Sequence, residues 1–408
     1  MRYLPVLVAL LSFQSVNALD GNETHSQSKQ GITLLSALTQ RDDLIYIKNS
    51  ADLPFTGTAV SYSQNNRVSE EQNYQEGKLH GEQRKYFGNG ELQYSQNYLA
   101  GVRDGIIESF YESGQVKAIK VYSLGEEIDI HKSYYESGQL AASVNYSAGK
   151  KDGTSKSYYE SGQLKGSLEY IAGKEDGQHL EYYESGQLKV SIDYIKGKKN
   201  GTSKSYYESG QLKASQNFSG GKRDGQSLGY YVSGQLKSSM DYIEGKKHGA
   251  YKDYYESGQV KSSIEYIEGK KDGATKAYYE SGQVKLSIEY IEGKKDGATK
   301  AYYESGQVKY SSGYIEGKKH GPYKAYYESG ELEFDYNYSR DLLDGVIRSY
   351  TNDGNKKGKW EYKNGVKHGI EEMYHENGAI RAKLNWKAGV LLGQPESYDL
   401  NGNLIPKP

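Results

Sequence analysis

Residues Tyr278 to Ala301 read YYESGQVKLSIEYIEGKKDGATKA, and from Tyr302 the chain begins again with YYESGQVK. Outward from this stretch, the glycine of ESG recurs at Gly90, Gly114, Gly138, Gly162, Gly186, Gly210, Gly234, Gly258, Gly282, Gly306, Gly330, Gly354, Gly378 and Gly402, always 24 residues apart. A diverged unit precedes them, with Asn66 at the anchor position. A second glycine series, through Gly77, Gly101, Gly125, Gly317, Gly365 and Gly389, keeps the same period, and Asp341 interrupts it. A period without insertions or deletions means that each unit packs on the next through one fixed geometry.

Within a unit, ATKAYY and QVKLSIEYI are runs of strand length, rich in β-branched and aromatic residues. The loops ESG and EGKKDG separate them, and their glycines supply the positive φ of a tight reversal. Asp, Asn or His stands before the glycine that ends the second loop, as at Asp272, Asn200 and His248. These residue types tolerate the left-handed region best, which predicts turn chemistry there. Reversals this short join only antiparallel neighbours. The expected fold class is therefore all-β, an elongated antiparallel β-meander or hairpin repeat array with two strands per 24-residue repeat. It would advance ~10 Å per repeat at ~4.8 Å per strand. The alternative is a β-helix-like solenoid with one coil per repeat.

The doubled tyrosine sets the faces. Pairing of Tyr278 with Val284 across a three-residue ESG loop with a glycine bulge predicts one face carrying Tyr278, Val284, Leu286, Ile288 and Tyr290. The other face then carries Ala277, Tyr279, Lys285, Ser287 and Glu289. Tyr135, Tyr159, Tyr183, Tyr207, Tyr231, Tyr255, Tyr279, Tyr303 and Tyr327 form a stripe on that less apolar face. They are the candidate binding surface, with rings that either shield the sheet or serve as ligand platforms.

Composition fits a thin sheet. Tyrosine numbers 43 and glycine 49, against 6 Phe, 3 Met and 2 Trp, and mean hydropathy is −0.86. Tyrosine replaces the usual core formers because its ring buries area while its hydroxyl stays wet. The 52 basic residues nearly balance the 53 acidic ones. The balance recurs inside the unit, where Glu280, Glu289, Glu292 and Asp296 offset Lys285, Lys294, Lys295 and Lys300. Nucleic-acid binders and polybasic membrane patches concentrate uncompensated Lys and Arg, so neither partner is expected.

Residues 1–18, with Arg2, an apolar run from Leu4 to Phe13 and the small-residue site Val16-Asn17-Ala18, read as a signal peptide. This predicts an exported protein: periplasmic, at the cell surface or secreted. The chain has no cysteine for a lipid anchor, disulfide or thiolate metal site. Residues 19–52 read as an N-terminal segment and cap, with a short helix in LLSAL and a strand in LIYIKN. Residues 53–354 are the array, and 355–408 diverged repeats and a C-terminal cap.

The consensus YYESGQLKxSxxYxxGKKDG, with LPFTGTAVSY at Leu53–Tyr62, resembles the MORN-repeat variant of bacterial proteins in the YwqK antitoxin-like family. The resemblance covers about Leu44 to Gly402 and implies an elongated β-hairpin array without catalytic residues. No enzyme is expected from the residues either. His80, His248, His320 and His368 share one position in different repeats, ESG serines lack a histidine partner, and the glycine turns open no helix. No cofactor or metal is expected. Three functions follow: an exported scaffold for protein–protein interaction, a cell-wall or glycan-binding module using the tyrosine stripe, and the antitoxin-like role that the resemblance implies.

Overall fold

The computed structural model describes residues 32–49 and 53–406; the signal-peptide reading lies outside them. The described residues fall into two compact units, one up to Val102 and one from Arg103.

The second unit is the meander. In the consensus repeat, strand Lys270–Tyr278 pairs antiparallel with Val284–Ile291, which pairs antiparallel with Lys294–Tyr302. The same alternation runs from Val116–Ser123 to Val390–Ser397. Each strand packs on its immediate ladder neighbours. Every neighbour in this unit runs antiparallel, which sets aside the β-helix alternative.

The ESG corner is the expected three-residue loop. The Tyr279 N–H donates to the Gln283 carbonyl at 2.8 Å and the Gly282 N–H to Tyr279 at 2.9 Å, with Gly282 at φ 89°. The other corner is tighter than EGKKDG suggests. Ile291 pairs with Lys294, so the turn is only Glu292-Gly293, at φ 47° and 86°. Two successive positive φ values make the turn whose twist suits a hairpin. The lysines belong to the next strand. Asp272 and Asp296 therefore do not take the left-handed conformation expected of them. Their carboxylates accept the Glu292 and Glu316 N–H groups of the adjacent corner, at 3.1 and 2.9 Å. Gly297, at φ 99°, opens a bulge opposite Glu289, and the space a Cβ would take is filled by that carboxylate.

Tyr278 pairs with Val284 as expected, but Ala277 pairs with Leu286, leaving Lys285 as an extra residue on its strand. A bulge of this kind points two successive side chains to one side, which changes the face assignment. Ala277, Tyr279, Lys285, Leu286, Ile288 and Tyr290 share one face, and Tyr278, Val284, Ser287 and Glu289 share the other. Equivalent positions elsewhere agree. Lys189 approaches Glu181 at 3.9 Å and Arg381 reaches the Met373 Sδ at 3.4 Å, both joining the Lys285 and Ala277 positions. The Tyr374 hydroxyl donates to Glu372 at 2.8 Å, which joins the Tyr278 and Lys276 positions. The tyrosine stripe thus lies on the more apolar face, not the less apolar one.

This single layer has no large side chain that is fully buried among the described residues. Its nearest approach to a core is the row containing the buried Met240 and Ile288. Stability comes from ladder bonds and from cross-strand pairs contributing roughly 0.2–1 kcal/mol each.

In the first unit, LLSAL supplies only a single turn of 3-10 helix, Leu35–Ala37, and not the expected helix. Ile32–Leu34 pairs parallel with Gly57–Tyr62, and Leu38–Arg41 forms a hairpin with Leu44–Ile47. Asp42 and Asp43, at φ 47° and 63°, make that hairpin's turn. Two aspartates able to take this conformation stop the helix and return the chain. The hairpin is tied to the first repeat through Ile45 N–H to Gly77 O and Gly77 N–H to Phe55 O, at 2.9 and 2.8 Å. Ala59, Val60 and Phe55 are buried there.

Candidate binding surface

The nine stripe tyrosines are all half-buried. Each leaves its strand at the ESG corner, and its ring lies across the ladder toward the next repeat. Each hydroxyl donates to the carbonyl of the tyrosine 23 residues on, from Tyr135 to Tyr158 through to Tyr327 to Tyr350, at 2.7–3.0 Å. Successive rings therefore ride on the backbone of the following repeat and do not stack on one another. The constraint extends past the stripe: His375 places Nε2 2.9 Å from the Tyr398 carbonyl.

The lysine of the bulge covers the ring. Lys165, Lys189, Lys213, Lys237, Lys261, Lys285 and Lys309 hold Nζ 5.2–5.7 Å from the centroids of Tyr159 to Tyr303. A second column sits near the opposite corner of the same face. Lys247, Lys271 and Lys295 lie 4.9, 5.2 and 5.0 Å from the rings of Tyr266, Tyr290 and Tyr314. Cations over ring faces are attracted by the negative quadrupole, by roughly 0.5–1 kcal/mol at exposed sites. The face is thus a repeating set of phenol rings with ammonium groups above them.

Three departures break the repetition. Where tyrosines fall at successive central positions, Tyr323 stacks between Tyr310 and Tyr336 at 5.9 and 4.5 Å, and Tyr338 meets Tyr336 edge-on at 5.4 Å. Burial is the main cause pushing the Tyr323 and Tyr336 phenols up. Gly166 stands where Leu286 would be, and the face opens there into a hollow of about 310 Å³. His179 and Lys189 line it, 3.6 and 3.9 Å from the Glu181 carboxylate. In the last repeats Glu371 is buried and accepts the indole N–H groups of Trp360 and Trp386 at 3.1 and 2.8 Å, with the Lys367 ammonium at 2.8 Å. Sequence reading passed over these places because single deviations from a consensus carry no pattern of their own. Among the described residues, no group of three His, Asp or Glu side chains is arranged to hold a metal ion.

The MORN repeat variant family model matches residues 79–100, 103–123, 130–148, 151–172, 175–196, 199–219, 247–268, 271–292, 295–316, 319–339, 343–364 and 367–388, more than half of the chain. The protein belongs to the MORN repeat variant family. No curated protein matches the sequence. Among solved structures, the chain is similar to TcdB2-TccC3, with 12% identity, a TM-score of 0.15, and coverage of 86% of this chain and 21% of that one. It is also similar to the Tc holotoxin pore of Photorhabdus luminescens, with 12% identity, a TM-score of 0.15, and coverage of 88% and 23%. The chain spans about a fifth of the length of each, and at that TM-score the likeness carries no argument.

Proposed function

We propose that this protein is an exported, non-catalytic scaffold that binds another protein along the face carrying Tyr279 and Lys285. The observation that supports it most is the repetition of that face. The same ring, carbonyl bond and cation recur at seven consecutive corners, from Tyr159 to Tyr303. Such a surface offers many equivalent contacts to an extended partner, the use to which repeat arrays put their stacked units. The glycan reading has less support, because sugar stacking needs a free ring face and the bulge lysines lie over these rings. Kinship with the YwqK antitoxin-like group rests on the consensus alone, and the export signal at residues 1–18 favours a partner outside the cytosol. The test has two parts. Fractionation should find the protein outside the cytosol. Capture with the full chain from envelope and secreted fractions should return one partner, competed away by untagged protein. Residence in the cytosol overturns the export reading, and capture without a reproducible partner overturns the scaffold.

A further inference from the structure

The repeat is electrically neutral, yet its two faces are not. Across the central repeats, Lys247, Lys261, Lys271, Lys285, Lys295 and Lys309 all lie on the tyrosine face. Among the described residues, no carboxylate oxygen comes within 4.0 Å of any of their ammonium groups. The balancing acids are elsewhere. Glu289 pairs across from Ala274 on the opposite face, where Lys276 also lies. Asp272 and Asp296 are committed to corner N–H groups, and Glu280 and Glu292 stand in the corners. From Lys247 to Lys309 the tyrosine face holds one acid, Asp253, whose carboxylate takes the Tyr251 and Ser262 hydroxyls. The fold thus sorts a neutral sequence into a cationic face with two ammonium groups per repeat.

We propose that the ligand of this face is an extended, acidic segment of a polypeptide, laid across the strands. This rests on the scaffold reading above and supplies the chemistry of its partner. Charge complementarity selects an anion. Spacing selects an extended chain: repeats advance ~10 Å, which an extended polypeptide covers in about three residues at ~3.3–3.6 Å each. Carboxylates three residues apart therefore meet successive lysines of one column. The ring faces already hold ammonium groups, so the surface suits carboxylates, which need donors, better than nucleobases, which need open rings.

The experiment uses the full chain and fluorescently labelled poly-L-glutamate, read by anisotropy. Binding is expected at low ionic strength and should weaken about tenfold or more toward physiological salt, as exposed charges become screened. Converting the six lysines to Gln should weaken it severalfold, the remainder being held by Lys199, Lys213, Arg223 and Lys237 at the same positions of the preceding repeats. Converting them to Arg should keep it, which separates charge from folding. Lys252→Gln, Lys276→Gln and Lys300→Gln, on the other face, should leave it unchanged. No binding at low salt, or equal loss from both sets of Gln variants, overturns the proposal. So does single-stranded DNA of matched charge, or a phosphatidylglycerol vesicle, bound about tenfold more tightly than polyglutamate. A protein partner captured equally by wild type and the six-Gln variant leaves the scaffold standing and removes the acidic ligand. Face-specific polyglutamate binding with no cellular partner captured does the reverse.

Discussion

Replacing Tyr207, Tyr231, Tyr255 and Tyr279 together by Phe removes four hydroxyls and nothing else. Each donates to the carbonyl of the next repeat, at 2.7–2.9 Å. The rings stay, and with them the lysines at 5.2–5.6 Å. A neutral hydrogen bond contributes a net ~0.5–1.5 kcal/mol. The sites are one repeat, ~10 Å, apart, far enough for their effects to add. The quadruple variant should lose about 2–6 kcal/mol, and Tyr279→Phe alone about 1 kcal/mol. The loss falls on the coupling between repeats, because each bond crosses from one unit to the next. Equilibrium urea unfolding, followed by far-UV circular dichroism, should show a lower midpoint and a broader transition as neighbours uncouple. The control is Tyr206, Tyr230, Tyr254 and Tyr278→Phe, whose hydroxyls make no bond to protein among the described residues. An unchanged midpoint in the stripe variant, or an equal loss in the control, would refute the structural role given to these hydroxyls.

Three further outcomes are expected. Glu371→Ala leaves two indole N–H groups and Lys367 without their acceptor, so the last repeats should lose ~3 kcal/mol. Because both tryptophans of the chain bond to Glu371, their emission should shift to the red; an unaltered spectrum and midpoint count against the cluster. Thr299 has a buried hydroxyl with no hydrogen-bond partner among the described residues. Thr299→Val should therefore raise the urea midpoint, by about 1 kcal/mol of stability, and destabilisation would show that the hydroxyl is bonded after all. Finally, burial and then the Glu372 hydrogen bond push the Tyr374 phenol up to about 12, and Tyr323 and Tyr336 are raised as well. A raised phenol contributes stability in full below its unfolded value near 10, which is lost as pH rises through the folded value. The part of the 295 nm absorbance change that Tyr374→Phe removes should appear above pH 10, toward pH 12. Its appearance near pH 10 with the sheet intact contradicts this.

Much of the fold was legible because glycine spacing is a local signal with a global consequence. The period, the antiparallel order and the three-residue ESG corner all follow from residues that must reverse the chain. The pairing of Tyr278 with Val284 follows in the same way. What failed to show was conformational parity. The two-residue corner at Glu292-Gly293 places Glu, Ala, Leu, Lys or Arg at positive φ, as at Glu292, Ala148, Leu124, Lys196 and Arg340. None of these residue types announces that conformation. The aspartate beside the following glycine looked like the turn residue and is instead an acceptor for the neighbouring corner. At the N-terminal end LLSAL has helix-forming residues, but strand pairing with Gly57–Tyr62 and the Asp42-Asp43 turn override a propensity worth only tenths of a kcal/mol per residue.

The bulge at Lys285 has the largest consequence for the proposed function. Without it, alternation puts Lys285 beside Glu289, and charges on that face cancel as they do in the sequence. One extra residue moves Lys285 to the side of Tyr279, Leu286 and Lys271, and leaves Glu289 behind. The same shift brings the ammonium over the ring, so the residue that unbalances the face also helps to hold the tyrosine whose hydroxyl joins one repeat to the next. The proposed binding and the assembly of repeats therefore draw on the same side chains. A ligand that pulls Lys285 from the ring should loosen the corner unless its own contacts restore the bond between repeats. The six-Gln variant should for that reason lose some stability as well as affinity, whereas the six-Arg variant should keep both, since guanidinium stacks on an aromatic face at least as well as ammonium. Arg223, 5.3 Å over the Tyr242 ring at the position of Lys271, shows the exchange already made within this chain. A six-Arg variant that folds but fails to hold polyglutamate would mean that the shape of the ammonium, and not the charge of the face, selects the ligand.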